Sequence, residues 1–220
     1  MRALLVYVEQ DKKLQDAITS LKKYSPQVEI DLVHADKTKT NVAEEEYQKY
    51  FNSEKFIDDV IIWHPDMVAT EGWYEKLMED YDKFDLIGCK LIYPDRLVAH
   101  YGGAIRMDGM GCHPHQYLVN IGLNEPHSCA FVTGPGMVIK KYVWEKIKSF
   151  DFQFSYFIDV DFCFRAREEG FTVGVVPATI IHAEGMDLLK KRTKEETQQL
   201  QANGQQRFLG KWMHELSKYR

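Results

Sequence analysis

The first third of the chain alternates short apolar runs with segments whose apolar residues recur every three or four positions. Short apolar runs predict buried strands, and the longer spacing predicts amphipathic helices. Strands that alternate with helices indicate βα units and a mainly parallel sheet, so the predicted fold class is α/β. The predicted strands span residues 3–8, 28–33 and 59–63. The first predicted helix begins at residue 14 and closes near residues 24–26, and the second spans residues 44–52.

The remainder of the chain continues this pattern around an irregular middle segment, residues 94–128, which holds four of the eight histidines. An apolar run at 131–139 is broken by Gly134, Pro135 and Gly136, and it leads into a predicted helix. Further helices are predicted at 73–81, from about residue 142, at 159–169 and from residue 188 onward. Further strands are predicted at 86–92, 172–176 and 179–181.

Polar residues follow two of the early strands. The strand at 59–63 stops at His64, Pro65 and Asp66, because proline cannot donate to a central strand ladder. Asp36 follows the strand at 28–33. Parallel sheets bind ligands beyond the carboxyl ends of their strands, so the sequence predicts a ligand site at this edge.

Composition predicts one globular domain with a C-terminal extension. The 220 residues are 45% hydrophobic and 28% charged, and no Pro/Gly/Ser-rich linker divides them. Residues 186–220 carry a net charge of +4, whereas the rest of the chain carries −9. An acidic body argues against broad nucleic-acid binding, because phosphate neutralisation needs a basic face. The basic segment can still contact an anionic surface.

Cysteine usage and apolar run lengths predict a cytoplasmic protein. The four cysteines form no C-x-x-C pair, and neither a signal-peptide core nor a membrane-spanning run is present. Membrane contact would therefore be peripheral, through the basic cluster at 190–194. Cys112, His113 and His115 allow a zinc interpretation, but no second pair of ligands completes it. A loop that contacts substrate is the favoured interpretation of this segment.

Asp66 has two interpretations. A carboxylate at the end of a strand can bind Mg²⁺ or Mn²⁺ together with substrate phosphates. Alternatively, Asp66 caps a following helix. His182 ends an apolar strand, and it is either a metal or phosphate ligand or a polar residue that merely terminates the strand.

Asp159 and Asp161 lie at the start of a predicted helix that contains Arg165. Carboxylates in a first helical turn are often only caps. Residues two apart point to different sides of a helix, so one can face the crevice as a general base while the other caps or pairs with Arg165. We expect Asp159 to be the base.

Read in order, several segments resemble family 2 glycosyltransferases of GT-A fold, especially the rhamnosyltransferase-like branch that builds bacterial surface polysaccharides. The resemblance covers nearly the whole chain and rests on ordered motifs rather than on one. The segments are I-I-W-H-P-D (61–66), G-C-K-L-I-Y-P-D (88–95), A-H-Y-G-G (99–103), T-G-P-G-M-V-I-K-K (133–141), I-D-V-D-F-C-F-R-A-R-E-E-G-F (158–171), V-P-A-T-I-I-H (176–182) and R-F-L-G-K-W (207–212).

The resemblance implies an inverting, metal-dependent transfer of a sugar from a nucleotide-sugar donor to a glycan or lipid-linked saccharide. It implies that Asp36 contacts the nucleotide, Asp66 and His182 the Mn²⁺ or Mg²⁺ ion, and Asp159 the acceptor hydroxyl. His64 stands where the family more often has Asp or Asn, within the donor site. Gly134 belongs to a passage that lies near the donor sugar and the acceptor in this family.

The resemblance also divides the chain into a catalytic domain, residues 1–185, and a basic helical tail, residues 186–220. Within the domain, residues 1–66 form the nucleotide-binding half and residues 67–185 the acceptor half. Two departures from the family, His64 and Ile158, keep a second interpretation open. It is a GT-A-like protein that binds a nucleotide or glycan without transferring a sugar. A third interpretation is a protein that docks a partner through its basic tail.

Overall fold

A computed structural model describes residues 1–36, 42–106, 108–154, 156–183 and 193–219. The helices are α1 (Lys12–Tyr24), α2 (Val42–Phe51), α3 (Trp73–Glu79), α4 (Lys141–Ile147), α5 (Ile158–Glu168) and α6 (Lys194–Trp212). The longer strands are β1 (Arg2–Tyr7), β2 (Glu29–His34), β3 (Val60–Trp63), β5 (Leu86–Ile92) and β11 (Val173–His182). The shorter strands are β4 (Met67–Ala69), β6 (Val98–His100), β7 (Ala104–Ile105), β8 (Gly111–Cys112), β9 (His127–Ser128) and β10 (Met137–Ile139).

One mixed sheet forms the centre of the molecule, in the order β2-β1-β3-β10-β5-β11-β4. β1 pairs in parallel with β2 and β3, and β5 pairs in parallel with β11. β10 is antiparallel to both β3 and β5, and it joins the two parallel groups. The α/β fold class is confirmed, and the sheet crosses the predicted division at residue 66 without a break.

Helices cover both faces of this sheet, because alternate residues of each strand point to opposite sides. Ile61 and Trp63 of β3 pack on the face covered by α1 and α3. Val60 and Ile62 pack on the opposite face, with residues of α2, α4, α5 and α6. Two apolar cores result, one on each side of the sheet.

β11 is one strand, where the sequence predicted two separate strands at 172–176 and 179–181. Its pairing with β5 shifts register between Val176 and Thr179, on either side of Pro177. A bulge accommodates the proline, which has no N–H to donate. The strand therefore continues to His182, where it pairs with β4.

The C-terminal helix was expected to be polar, and α6 is a helix whose start is fixed by a capping box between Thr193 and Glu196. One face is apolar: Phe208 and Trp212 are buried in the core beside α5. The predicted domain boundary at residue 185 and the basic residues 190–192 lie outside the described residues. None of the helices described is both long and apolar enough to cross a membrane.

Candidate active site at the carboxyl edge of the sheet

Asp66 and His182 meet because two strands converge at one edge of the sheet. β4 runs antiparallel to β11, and Met67 lies opposite His182 in that pairing. The residue before Met67 is thereby placed next to the strand end, and His182 Nε2 lies 3.3 Å from Asp66 Oδ1. The Ala183 amide also donates to the Asp66 carbonyl oxygen at 3.1 Å. Asp66 does not cap a helix, because β4 follows it directly.

His64 completes a group of three potential metal ligands. One ligand atom from each of His64, Asp66 and His182 lies within 4.8 Å of the others. The two imidazole ring centroids are 5.8 Å apart. The bend at Pro65 turns the chain back after β3, so residues 64 and 66 face the same space. Among the described residues, no other group of three His, Cys, Asp or Glu side chains has this geometry.

Burial and charge set the ionisation of this group. Burial lowers the pKa of His64 to about 4, and the nearby His182 acts in the same direction. Burial alone would raise the pKa of Asp66, but a hydrogen bond and the charge of His182 outweigh it, and the pKa lies below its ordinary value. At neutral pH the group therefore offers a carboxylate and a neutral imidazole, both of which can donate lone pairs to a cation.

Asp159 is partly exposed and lies in the first turn of α5, two residues after Phe157, whose φ of 73° is left-handed. Asp159 Oδ2 accepts from the Gly134 amide at 3.2 Å, and Oδ1 accepts from the Val160 amide at 2.9 Å. Burial raises the pKa of Asp159, although these amides and His113 oppose the shift. A carboxylate has room for further donors after two hydrogen bonds, so Asp159 can still accept one from a ligand.

Asp161 has a different environment, although it is only two residues away. Its side chain is fully buried, and Arg165 Nε donates to its Oδ2 at 2.8 Å. One carboxylate thus pairs with Arg165, and the other remains partly exposed. That Asp159 is the base stays a prediction. Ile158, at the departure from the family pattern, is buried in the core and does not face the site.

The turn at Gly134–Gly136 connects Asp159 to the end of β3. The Gly134 amide binds Asp159, and the Gly136 amide donates to the Ile62 carbonyl at 2.9 Å. A side chain at Gly136 would contact Met67 and Leu91, whereas one at Gly134 would meet nothing within 4 Å. Gly134 therefore borders open space beside the Asp159 carboxylate.

Asp36 is exposed and follows β2 at the same edge of the sheet. β1 lies between β2 and β3. The strand that Asp36 follows is therefore two strand spacings, roughly 10 Å, from the strand that His64 follows. Residues 37–41 lie outside the described part of the chain. Asp36 does not join the group formed by His64, Asp66 and His182, and its nucleotide contact stays a prediction.

Two features of this region were not predicted from the sequence. Tyr47 of α2 is buried, and burial together with the charges of Glu44 and Asp66 raises the pKa of its phenol. His113, which the sequence placed in a loop with a zinc alternative, contacts His100 instead, with 2.7 Å between the two Nδ1 atoms. Neither residue has a sequence pattern that could have revealed these contacts, since both depend on chain segments that meet only in the fold.

Solved structures that share this fold include the glycosyltransferases GalNAc-T7 and TarS. GalNAc-T7, in a structure with UDP, GalNAc and Mn²⁺, aligns with a TM-score of 0.58 and 14% identity over 82% of this chain and 43% of its own. S. aureus TarS 1–349 aligns with a TM-score of 0.54 and 8% identity over 95% of this chain and 71% of its own. A197 from STIV gives a TM-score of 0.51 and 15% identity, with 81% and 83% covered.

Sequence comparison gives a more distant relationship. O-antigen biosynthesis protein RfbC of Myxococcus xanthus is 26% identical over 128 residues, which covers 53% of this chain and 10% of that protein. The chain thus spans about a tenth of the length of this relative and less than half of GalNAc-T7. No family model matches the chain. These likenesses establish the fold, which is the GT-A fold of nucleotide-sugar glycosyltransferases.

Proposed function

We propose that this protein is an inverting, metal-dependent glycosyltransferase that moves a sugar from a nucleotide-sugar donor to a hydroxyl group. The observation that carries the proposal is the convergence of His64, Asp66 and His182 at the carboxyl edge of a GT-A sheet. The turn at Gly134–Gly136 connects that group to the partly exposed carboxylate of Asp159. In this proposal, one edge of the sheet holds both the cation ligands and the general base.

The three ligand groups fit a divalent cation. Two imidazole nitrogens and one carboxylate oxygen suit borderline ions such as Mn²⁺ better than Mg²⁺, which prefers oxygen alone. Three protein ligands also leave positions for phosphate oxygens. A divalent ion held there would neutralise the charge that develops on the leaving diphosphate. We assign Asp66 and His182 as ligands, and we add His64, which the resemblance alone assigned to the donor site.

Asp159 supplies the base in this proposal. As the acceptor oxygen forms its bond to C1 of the sugar, the bond from C1 to the diphosphate breaks, and Asp159 takes the proton of the acceptor hydroxyl. Displacement from the opposite side inverts C1. The amides of Gly134 and Val160 hold the carboxylate in place, so it meets the acceptor with little loss of freedom.

The likenesses and the sequence motifs support a proposal for the substrate class. The name of the relative from Myxococcus xanthus indicates O-antigen biosynthesis, and one structural neighbour was solved with UDP, GalNAc and Mn²⁺. We infer a nucleotide-sugar donor of hexosyl or deoxyhexosyl type, and a glycan or lipid-linked acceptor, with Asp36 toward the nucleotide. Such an acceptor fits a cytoplasmic protein at the inner face of a membrane, with the basic segment after residue 186 as its contact.

A screen of nucleotide sugars tests this function. With Mn²⁺ present, nucleotide sugars that share one nucleotide diphosphate should raise the melting temperature of the protein, because a ligand stabilises the state that binds it. When the chelator EDTA replaces Mn²⁺, the melting temperature should not rise. The stabilising donor is then assayed for hydrolysis and for transfer to bacterial surface glycans. Binding without turnover of any donor would favour the non-catalytic alternative, and the lack of any Mn²⁺-dependent stabilisation would contradict the proposal.

A further inference from the structure

Two tyrosine rings stack on each other where β5 ends. Tyr93 directly follows β5, and Tyr117 lies in the segment between β8 and β9. Their ring centroids are 5.4 Å apart and their planes differ by 12°, which describes an offset parallel stack. Gln116 Nε2 donates to the Tyr93 hydroxyl at 2.8 Å, so the ring of Tyr93 is also held at its polar end. The pair therefore forms a fixed aromatic surface.

Tyr117 is the outer ring of this pair. It is 65% exposed, and its φ of 64° lies in the left-handed region, which is sterically unfavourable for a bulky residue. Hydrogen bonds hold the backbone there: the Tyr117 amide donates to the Val98 carbonyl at 2.8 Å, and the Leu118 amide donates to the His115 carbonyl at 3.1 Å. The fold thus keeps a large ring exposed at a steric cost, a feature that is frequent at ligand sites.

Strand register places the pair at the same edge of the sheet as the potential metal ligand His182. β5 and β11 are parallel, and Ile92 lies opposite Ile181 in their pairing. Tyr93 and His182 are the next residues of the two strands' chains, so their backbones lie about one strand spacing, roughly 5 Å, apart. The stacked rings therefore border the candidate active site.

The chain around Tyr117 favours a ligand without charge. Residues 109–124 contain no Asp, Glu, Lys or Arg. The turn after Tyr93 carries Asp95 and Arg96, whose opposite charges offset each other. Phosphate groups bind where cationic donors are available, so this surface does not suit them. An exposed aromatic face instead suits the C–H face of a neutral sugar ring, because both surfaces are apolar and flat.

A nucleobase also stacks on aromatic rings, but the predicted nucleotide contact lies elsewhere on this edge. Asp36 follows β2, and β1, β3 and β10 lie between β2 and β5 in the sheet. Four strand spacings, roughly 19 Å, therefore separate the strand before Asp36 from the strand before Tyr93. This separation favours the acceptor sugar over the nucleobase as the ligand of Tyr117.

We propose that Tyr117, supported by Tyr93, is a stacking platform for a pyranose ring of the acceptor. The assignment of that sugar as the acceptor rests on the proposed function. Sugar binding at Tyr117 is a property of the ring itself, so it is measurable whether or not the protein transfers a sugar.

Saturation-transfer NMR on the full chain tests the platform directly. The probes are methyl β-galactoside and methyl α-rhamnoside, and the acyclic polyol mannitol is the control because it has no ring face. The ring C–H protons of at least one pyranoside should receive saturation from the protein, and mannitol should receive none. Transfer to neither pyranoside, or equal transfer to mannitol, overturns the proposal.

Substitutions at Tyr117 separate the ring from the backbone conformation. Tyr117→Phe keeps the ring and should keep the saturation transfer. Asparagine tolerates the left-handed region, so Tyr117→Asn removes the ring without new backbone strain. Transfer should then fall about three- to tenfold, the effect of one lost aromatic contact. Tyr142→Asn is the matched control, since Tyr142 is 45% exposed on α4, and it should change nothing. Parent-like transfer in Tyr117→Asn overturns the proposal.

The same variant distinguishes other occupants, because Leu118 and Val119 beside Tyr117 are also exposed. Calorimetry with UDP and Mn²⁺ should give the same affinity for the parent and Tyr117→Asn, and a weaker affinity would assign the ring to the nucleotide. If Tyr117→Asn instead abolishes binding to phosphatidylcholine vesicles, or dissociates a dimer, while saturation transfer is unchanged, the sugar platform is wrong. If the parent shows no Mn²⁺-dependent nucleotide binding while the sugar results hold, the proposed function fails and the platform stands.

Discussion

The Asp161 carboxylate connects α5 to α6, because its Oδ1 accepts a hydrogen bond of 2.9 Å from the indole Nε1 of Trp212. Lys211 Nζ lies 2.7 Å from the same oxygen, and Arg165 Nε donates to the other oxygen at 2.8 Å. Asp161 is fully buried beneath these partners. The carboxylate therefore holds the C-terminal helix against the core and leaves Asp159 as the one available to a ligand.

Asp161→Asn should cost stability. Asparagine cannot neutralise Arg165 and Lys211, and the loss of one partner from a buried charge pair costs roughly 3 kcal/mol. Urea unfolding of both proteins measures the difference. Asp151→Asn is the matched control: Asp151 also contacts Lys211, at 3.2 Å, but is partly exposed, so its loss should cost at most about 1 kcal/mol. Equal effects of the two substitutions would contradict the structural role of Asp161.

Asp159→Asn should abolish turnover without unfolding the protein. The amide keeps the size of the carboxylate but cannot take a proton, so the transfer rate should fall by roughly two to four orders of magnitude. Donor affinity should be retained, as measured by calorimetry with Mn²⁺. An Asp159→Asn protein with normal transfer would remove this residue from the chemistry. If Asp161→Asn instead folded normally but had no activity, the role of general base would belong to Asp161.

Asp66→Ala and His182→Ala should each weaken Mn²⁺-dependent binding of the nucleotide diphosphate. Each removes one of the three proposed ligands, and with it direct coordination rather than a supporting contact. Calorimetry with UDP and Mn²⁺ measures the change, and we expect a loss of at least tenfold, about 1.4 kcal/mol. Asp16→Ala, at an exposed ion pair on α1, is the control. Parent-like affinity in Asp66→Ala would rule out Asp66 as a ligand.

Alanine substitutions at two glycines should have different effects, one on stability and the other on ligand binding. A Cβ at Gly103 would lie 2.3 Å from the Phe131 ring, whereas one at Gly134 meets no atom within 4 Å. Gly103→Ala should therefore lower the free energy of unfolding by about 1–3 kcal/mol, because the ring must move. Gly134→Ala should fold as the parent does but bind donor or acceptor more weakly, since its methyl group enters the open space. Thermal melts measure the stability of both variants, and calorimetry measures their binding. A Gly134→Ala protein with unchanged binding would show that the open space beside Gly134 lies outside the site.

Stability at acid pH should depend on Asp31. Burial would raise its pKa, but hydrogen bonds from Arg2, at 2.8 Å from Nη2, and from Tyr50 hold the pKa below its ordinary value. A group with a depressed pKa stabilises the fold above its unfolded pKa, and that contribution disappears as the pH falls through the folded pKa. Asp31→Asn should therefore be less stable than the parent at pH 7. Urea unfolding should show that the difference in unfolding free energy between the parent and Asp31→Asn narrows below about pH 4. A difference that stays constant from pH 7 to pH 2 would refute this prediction.

Much of the fold follows from local patterns. The strand at Leu86–Ile92 was predicted with its observed bounds, because a short run that is apolar except for Lys90 has no helical periodicity and fits a strand buried on both faces. β1, β3, α1 and α5 agree with prediction to within about two residues at each end, the normal uncertainty of element boundaries. The predicted end of β3 at Pro65 is also a local effect, since proline removes a donor wherever it occurs.

The short strands of the middle region were not predicted, because two- and three-residue strands have no periodicity of their own. β7 and β8 exist only because the hairpin between them closes. The apolar face of α6 was missed for a related reason. Phe208 and Trp212 are isolated in a polar sequence, and their burial depends on the surface that α5 offers.

The sequence by itself determined which residue types stand at strand ends and helix starts, and therefore the candidates Asp36, Asp66, Asp159 and His182. The tertiary structure alone decided which of them meet. His182 reaches Asp66 across more than a hundred residues because β11 bulges at Pro177 and then pairs with β4. His64 and His113 gained their partners in the same way. Contacts between distant segments depend on the packing of the whole sheet, which no local pattern encodes.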